Sequence, residues 1–96
     1  MINSLRIEVN PSITILSGFD YGRAMFNNRY SMYDIDVSKN YYLILPEQIE
    51  GICSDFVNGF FEKIIEKIGA EKAAERLNIN NKVLEADVKE KILLNK

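Results

Sequence analysis

The sequence predicts a small α/β domain, a mixed sheet of about four strands carrying two to four helices. Three observations predict it. The chain has 96 residues, of which 47% are hydrophobic and 27% charged, the balance of one folded domain spanning residues 1–96. Short β-branched segments with a two-residue alternation occupy the first half. A long amphipathic stretch at 54–68 opens a second half in which helical and strand patterns alternate, and such alternation implies crossover connections and a mixed or parallel sheet.

The elements follow in order. Leu5-Arg6-Ile7-Glu8-Val9 alternates apolar and polar, the period of a half-buried strand, and Asn10-Pro11 turns the chain. Ile13-Thr14-Ile15-Leu16 is a second, β-branched strand candidate, broken at Ser17-Gly18. Asp20 is placed to cap a short helix over residues 21–29. Tyr33-Asp34-Ile35-Asp36-Val37 alternates again; it reads as a strand forming a hairpin with the next one through Ser38-Lys39-Asn40, or alternatively as helix or loop. Tyr41-Tyr42-Leu43-Ile44-Leu45 is apolar at both parities, which suits a central strand buried on both faces, and Pro46 ends it.

Residues 54–68 carry the clearest pattern. Phe56, Val57, Phe60, Phe61, Ile64, Ile65 and Ile68 trace one helical stripe, with Asn58, Glu62, Lys63, Glu66 and Lys67 opposite. Ser54 stands where an N-cap is wanted, Asp55 adds a carboxylate near the positive end of the dipole, and Gly69 suits the residue past the C-terminus. Gly59 is costly inside a helix and implies a close approach, either by a strand packed on the helix or by the backbone of a partner. Residues 70–74 form a short helix or turn, and 76–80 a last strand. Asn80-Asn81 caps a final helix with Leu84, Val88 and Ile92 on one face, and Lys89, Lys91 and Lys96 complement its dipole.

Composition narrows the chemistry. With no His and a single Cys, the chain has no imidazole base, no His metal ligand, no internal disulfide and no Cys cluster. A net charge of −2 supplies no basic field, so a nucleic-acid partner is disfavoured. The longest apolar run, residues 41–45, is far below the ~20 residues of a membrane span. The first residues lack a charged region followed by an apolar stretch, and with a lone cysteine this points to the cytoplasm. No cofactor, metal or membrane association is expected.

One segment carries a resemblance. A buried strand at 41–45, the Ile49-Glu50-Gly51-Ile52 turn, and then Cys53-Ser54-Asp55-Phe56 opening an amphipathic helix, together with Gly22-Arg23 upstream, resemble the STAS-like family, small bacterial and phage proteins related to anti-sigma-factor antagonists. The resemblance spans roughly residues 18–94. It implies a small sheet of mixed strand direction with helices mostly on one side. It also implies a non-catalytic regulatory module whose partner is a protein, in that family a kinase-like ATPase of the anti-sigma type. Antagonists carry an Asp-Ser-Ser-Gly motif whose first serine is phosphorylated, and modification releases the partner. Ser54 falls on that phosphoacceptor position, while Cys53, Asp55 and Phe56 replace its neighbours. Asp55 would set a like charge beside a phosphate, so Ser54 reads either as phosphoacceptor or as plain N-cap.

The implied partner surface comprises Ile49, Ile52, Cys53, Ser54 and Asp55, with Gly22 and Arg23. The alternative reading is a small phage or mobile-element inhibitor that blocks a host enzyme by occupying its surface. Self-association is left open. Other motifs are sparser. Cys53 reads as a small packing residue or an activated thiol at a helix start. Gly18-x-x-x-Gly22-Arg23 reads as a loop entering a helix or a phosphate cradle. Asp34 and Asp36 are too few for a cation site. The five tyrosines divide between core and interface.

Overall fold

A computed structural model of the chain describes residues 1–94; Lys96, assigned above to the dipole of the last helix, lies outside the described residues. In chain order the elements are β1 (Ser4–Arg6), β2 (Ile15–Leu16), α1 (Phe19–Arg29), β3 (Tyr41–Ile44), β4 (Gly51–Ile52), α2 (Ser54–Phe60), α3 (Glu62–Ile68), α4 (Ala70–Glu75), β5 (Leu77–Ile79) and α5 (Lys82–Leu94). The α/β class is as the sequence predicts. Among the described residues every strand pairing is parallel, so the expected single mixed sheet of about four strands gives way to two parallel ladders and five helices: a three-stranded sheet in the order β1-β3-β5 and a two-stranded ladder of β2 with β4. No described helix is long and apolar enough to cross a membrane.

Segments 4–16 and 41–52 thus pair twice, and Pro11 and Pro46 lie in the gap between the two ladders, where a missing N–H costs no ladder bond. Beyond β1, Ile7 N–H still donates to Ile44 O at 3.0 Å, so the expected strand over residues 5–9 survives as its first half. After β3, Leu45 finds a substitute for a strand partner in Asn80. The Asn80 amide accepts from Leu45 N–H at 2.8 Å and donates to Leu45 C=O at 2.9 Å. The cap expected from Asn80-Asn81 falls to Asn81 alone, whose Oδ1 accepts from Leu84 N–H at 3.1 Å.

Register explains the burial. Leu43 lies between Leu5 and Ile79, all buried; Tyr42 lies between Ser4 and Asn78, and is 39% exposed. The central strand is therefore buried on one face, not on both, because the helices pack against that face. The expected hairpin between 33–37 and β3 does not form, since β1 and β5 already occupy both edges of β3. Ile35 instead makes a parallel bridge to Ile2, with 2.8 Å bonds from Ile2 N–H to Asp34 O and from Asp36 N–H to Ile2 O. The inward parity of the alternation holds at Ile35 and Val37, which are buried, and fails at Tyr33, which is 91% exposed. Tyr30 closes the outer edge of β1: its hydroxyl accepts from Arg6 N–H and donates to Arg6 C=O, each at 2.8 Å.

The stripe at 54–68 is buried as its spacing requires, with Phe56, Val57, Phe60, Phe61 and Ile64 each at most 1% exposed. The stretch is two helices rather than one, because Phe61 departs to φ −92°, ψ 3°; the i→i−4 bonding continues through it, Phe61 N–H to Val57 O at 3.0 Å and Ile65 N–H to Phe61 O at 2.9 Å. Gly18, not Asp20, caps α1, and its φ of 102° needs a glycine. Asp20 stands one residue inside the first turn.

Candidate functional site

Leu16 and Ile52 are register partners at the ends of β2 and β4. A helix starts at Phe19 after the first strand and at Ser54 after the second. Because the strands are parallel, both helix N-termini reach the same rim, the position where open parallel sheets ordinarily present ligand-contacting groups. Asp55 fastens the two junctions together. Its Oδ1 accepts from Gly18 N–H at 3.0 Å and from Phe56 N–H at 2.8 Å, so a single carboxylate oxygen serves backbone donors of both.

From the rim, α1 and α2 run side by side through a glycine crossing. A Cβ on Gly22 would stand 2.5 Å from Phe56 O, and one on Gly59 would overlap Phe19 O. The close approach read from Gly59 is therefore to a helix, not to a strand. Phe26 and Phe60 meet edge-to-face beneath the crossing at 5.5 Å, and Tyr21 tilts against Phe56 at 5.8 Å.

The residues singled out by sequence separate into two groups. Cys53, Ser54 and Asp55 are consecutive and exposed on the rim. Ile49 and Ile52 are each 3% exposed, and Gly22 is buried in the helix crossing, so these three belong to the interior and not to a partner surface. Arg23 leaves the rim and pairs with Glu62 at 3.2 Å. Ser54 is not the N-cap. Cys53 holds that position with extended φ −75°, ψ 154°, and its carbonyl takes the first helical bond from Val57 N–H. Ser54 is the first helical residue, and its hydroxyl makes no hydrogen bond among the described residues. The capping work expected of Ser54 belongs to Asp55. Cys53, read as a packing residue, is exposed.

The glycine-rich start of α1 forms no open phosphate cradle, since Asp55 already occupies Gly18 N–H and Gly22 is buried. Asp36, one of the two carboxylates expected on a strand, accepts from the hydroxyl and backbone N–H of Ser38, and these bonds hold its carboxyl below its ordinary value.

Sequence reasoning missed the apolar part of the rim. Ile15 is 48%, Phe19 38% and Tyr21 41% exposed. Ile15 shares a shallow groove with Cys53 and Val83, the last on α5. The signal was present as two junctions of one form, Ile15-Leu16-Ser17-Gly18-Phe19-Asp20 and Gly51-Ile52-Cys53-Ser54-Asp55-Phe56, each a short apolar strand followed by small polar residues and a helix start. Compared with protein-family models, curated proteins and solved structures, the chain matches none.

Proposed function

We propose that the chain is a non-catalytic regulatory module of STAS-like type that binds a partner protein through the strand-to-helix turn around Ser54. One observation carries the reading: the unengaged Ser54 hydroxyl sits in an exposed polar strip, Cys53–Asp55, on the rim where half-exposed Ile15, Phe19 and Tyr21 also emerge. Apolar and aromatic groups rimmed by polar ones are the usual make-up of a protein-binding patch. The resemblance of the 41–61 segment to anti-sigma-factor antagonists supplies the class of partner, a cytoplasmic kinase-like ATPase.

A second reading has its own support. Asp55 already places an anion on both helix junctions. A phosphate on Ser54 would meet that like charge, which favours a binder without a phosphorylation cycle, such as a phage or mobile-element inhibitor of a host enzyme.

Affinity capture from the native host, using wild type, Ser54→Asp and Phe19→Asp in parallel, tests both. The partner must bind again when purified, and circular dichroism must show the variants folded. A regulatory module loses its partner with Phe19→Asp and with Ser54→Asp. A fixed inhibitor loses it with Phe19→Asp alone. Equal capture by all three proteins refutes the rim as the binding surface.

A further inference from the structure

The two helices that start at the rim run in the same direction, and the far end of the pair is chemically unlike the near end. There, the C-terminal turn of α1, the loop after it and the outer face of α3 enclose an open groove of about 700 Å³. Tyr33 stands in it 91% exposed, beside half-buried Met32. Its opposite wall carries Lys63 and Lys67, one helical turn apart, with Glu66 between them.

These lysines differ from Lys82 and Lys91 of α5. Lys82 pairs with Glu85 at 3.2 Å and Lys91 with Asp87 at 2.6 Å, whereas Lys63 and Lys67 form no ion pair among the described residues. Glu62, the residue before Lys63, is taken by Arg23 at 3.2 Å. Two lysines against one glutamate give the groove a local excess of positive charge in a chain of net −2. The groove wall is also anchored, because Tyr30, which lines it, holds the backbone of Arg6 through two bonds of its hydroxyl.

We propose that this groove is a second docking surface, and that its occupant is an acidic segment of a partner protein carrying an apolar side chain. The two ammonium groups meet the carboxylates. Tyr33 and Met32 take the apolar side chain, a task for which an exposed aromatic and an adaptable thioether are suited. A nucleic-acid strand would offer the same charge, but the net acidity of the chain opposes it. The proposal does not depend on the role given to Ser54.

The test is an NMR titration of the ¹⁵N-labelled chain with a short synthetic peptide alternating Glu and Leu, run beside a Lys/Leu peptide and an oligothymidylate. The expected result is that the Glu/Leu peptide shifts the amides of Tyr33, Lys63 and Lys67 and binds more weakly as salt rises. Lys63→Glu/Lys67→Glu should weaken that binding by about tenfold or more, while Ser54→Asp leaves it unchanged. Both lysines are exposed, so the double variant should fold, which circular dichroism checks. The proposal is overturned if the Lys/Leu peptide binds as well as the Glu/Leu peptide, if the shifts fall on the Ser54 rim, if no binding is seen, or if the oligothymidylate binds in preference.

Discussion

Replacing glycine by alanine inside a helix ordinarily stabilises it by about 1 kcal/mol. At Gly59 the structure reverses the sign. An alanine Cβ there would overlap the Phe19 carbonyl oxygen and lie 2.9 Å from Arg23 N and 3.0 Å from Phe19 C, all backbone atoms that no rotamer change can move. The companion position is nearly as tight, at 2.5 Å from a Gly22 Cβ to Phe56 O. Carbon–oxygen contacts settle at about 3.3 Å or more, so relief at Gly22 alone requires the helices to part by about 0.8 Å, and at Gly59 by more. That movement would draw Phe26 from Phe60, both at most 1% exposed, and Tyr21 from Phe56. Overpacking of this kind costs about 1–3 kcal/mol, occasionally more, and the missing shape freedom of two backbones places Gly59→Ala at the upper end. After the propensity gain the expected net loss is about 2 kcal/mol, a large part of the about 5–15 kcal/mol that holds such a domain together. Urea unfolding followed by circular dichroism should show a lower midpoint with an unchanged slope. A Gly59→Ala protein as stable as wild type, or more so, would refute the crossing.

Asn80→Ala should cost about 1 kcal/mol and speed amide hydrogen exchange at Leu45, because it removes the partner of both Leu45 backbone groups. Exchange at Leu84, which depends on Asn81, should not change. Glu85 gives a pH dependence. Its carboxylate accepts from Ile79 N–H at 2.7 Å, and this bond, more than its contact with Lys82, holds its pKa below the ordinary 4.5. The stabilisation it contributes is therefore complete above that value and is lost as pH falls through and below it. Glu85→Gln should be less stable than wild type at neutral pH, with the difference closing under acid; a difference that persists at low pH would argue against the ionised bond.

The stripe from Phe56 to Ile68 was legible because a helix buries residues by a local period, whatever it packs against. Gly59 was legible as an anomaly, but its partner was not: Phe19 and Arg23 lie some forty residues upstream, and no local pattern couples them. The same limit governs residues 33–37. Their alternation gave Ile35 and Val37 as inward but also Tyr33, which is exposed, while the choice of Ile2 over β3 as partner was decided by strands arriving from both ends of the chain. At the rim, the Ser54 turn was legible as a motif. The transfer of capping from Ser54 to Asp55 was not, because it depends on Gly18, brought near by the parallel pairing of β2 with β4.

The glycine crossing also bears on how the rim and the groove can influence one another. A site affects a distant one only when some element between them has two arrangements that both sites bias. The element here is the α1–α2 pair, fixed at its start by the Asp55–Gly18 bond and along its length by backbone contacts too close to admit one Cβ. A pair held in this way has no second arrangement at modest cost, since sliding would drive the helix backbones together. The two surfaces should then act as separate docking points on one rigid strut, and a partner at one end should leave affinity at the other unchanged. Such an arrangement suits an adaptor better than a relay. Any control exerted through Ser54 would act on the molecule bound at that turn, by charge and contact, and would not reach the Lys63–Lys67 groove through the fold.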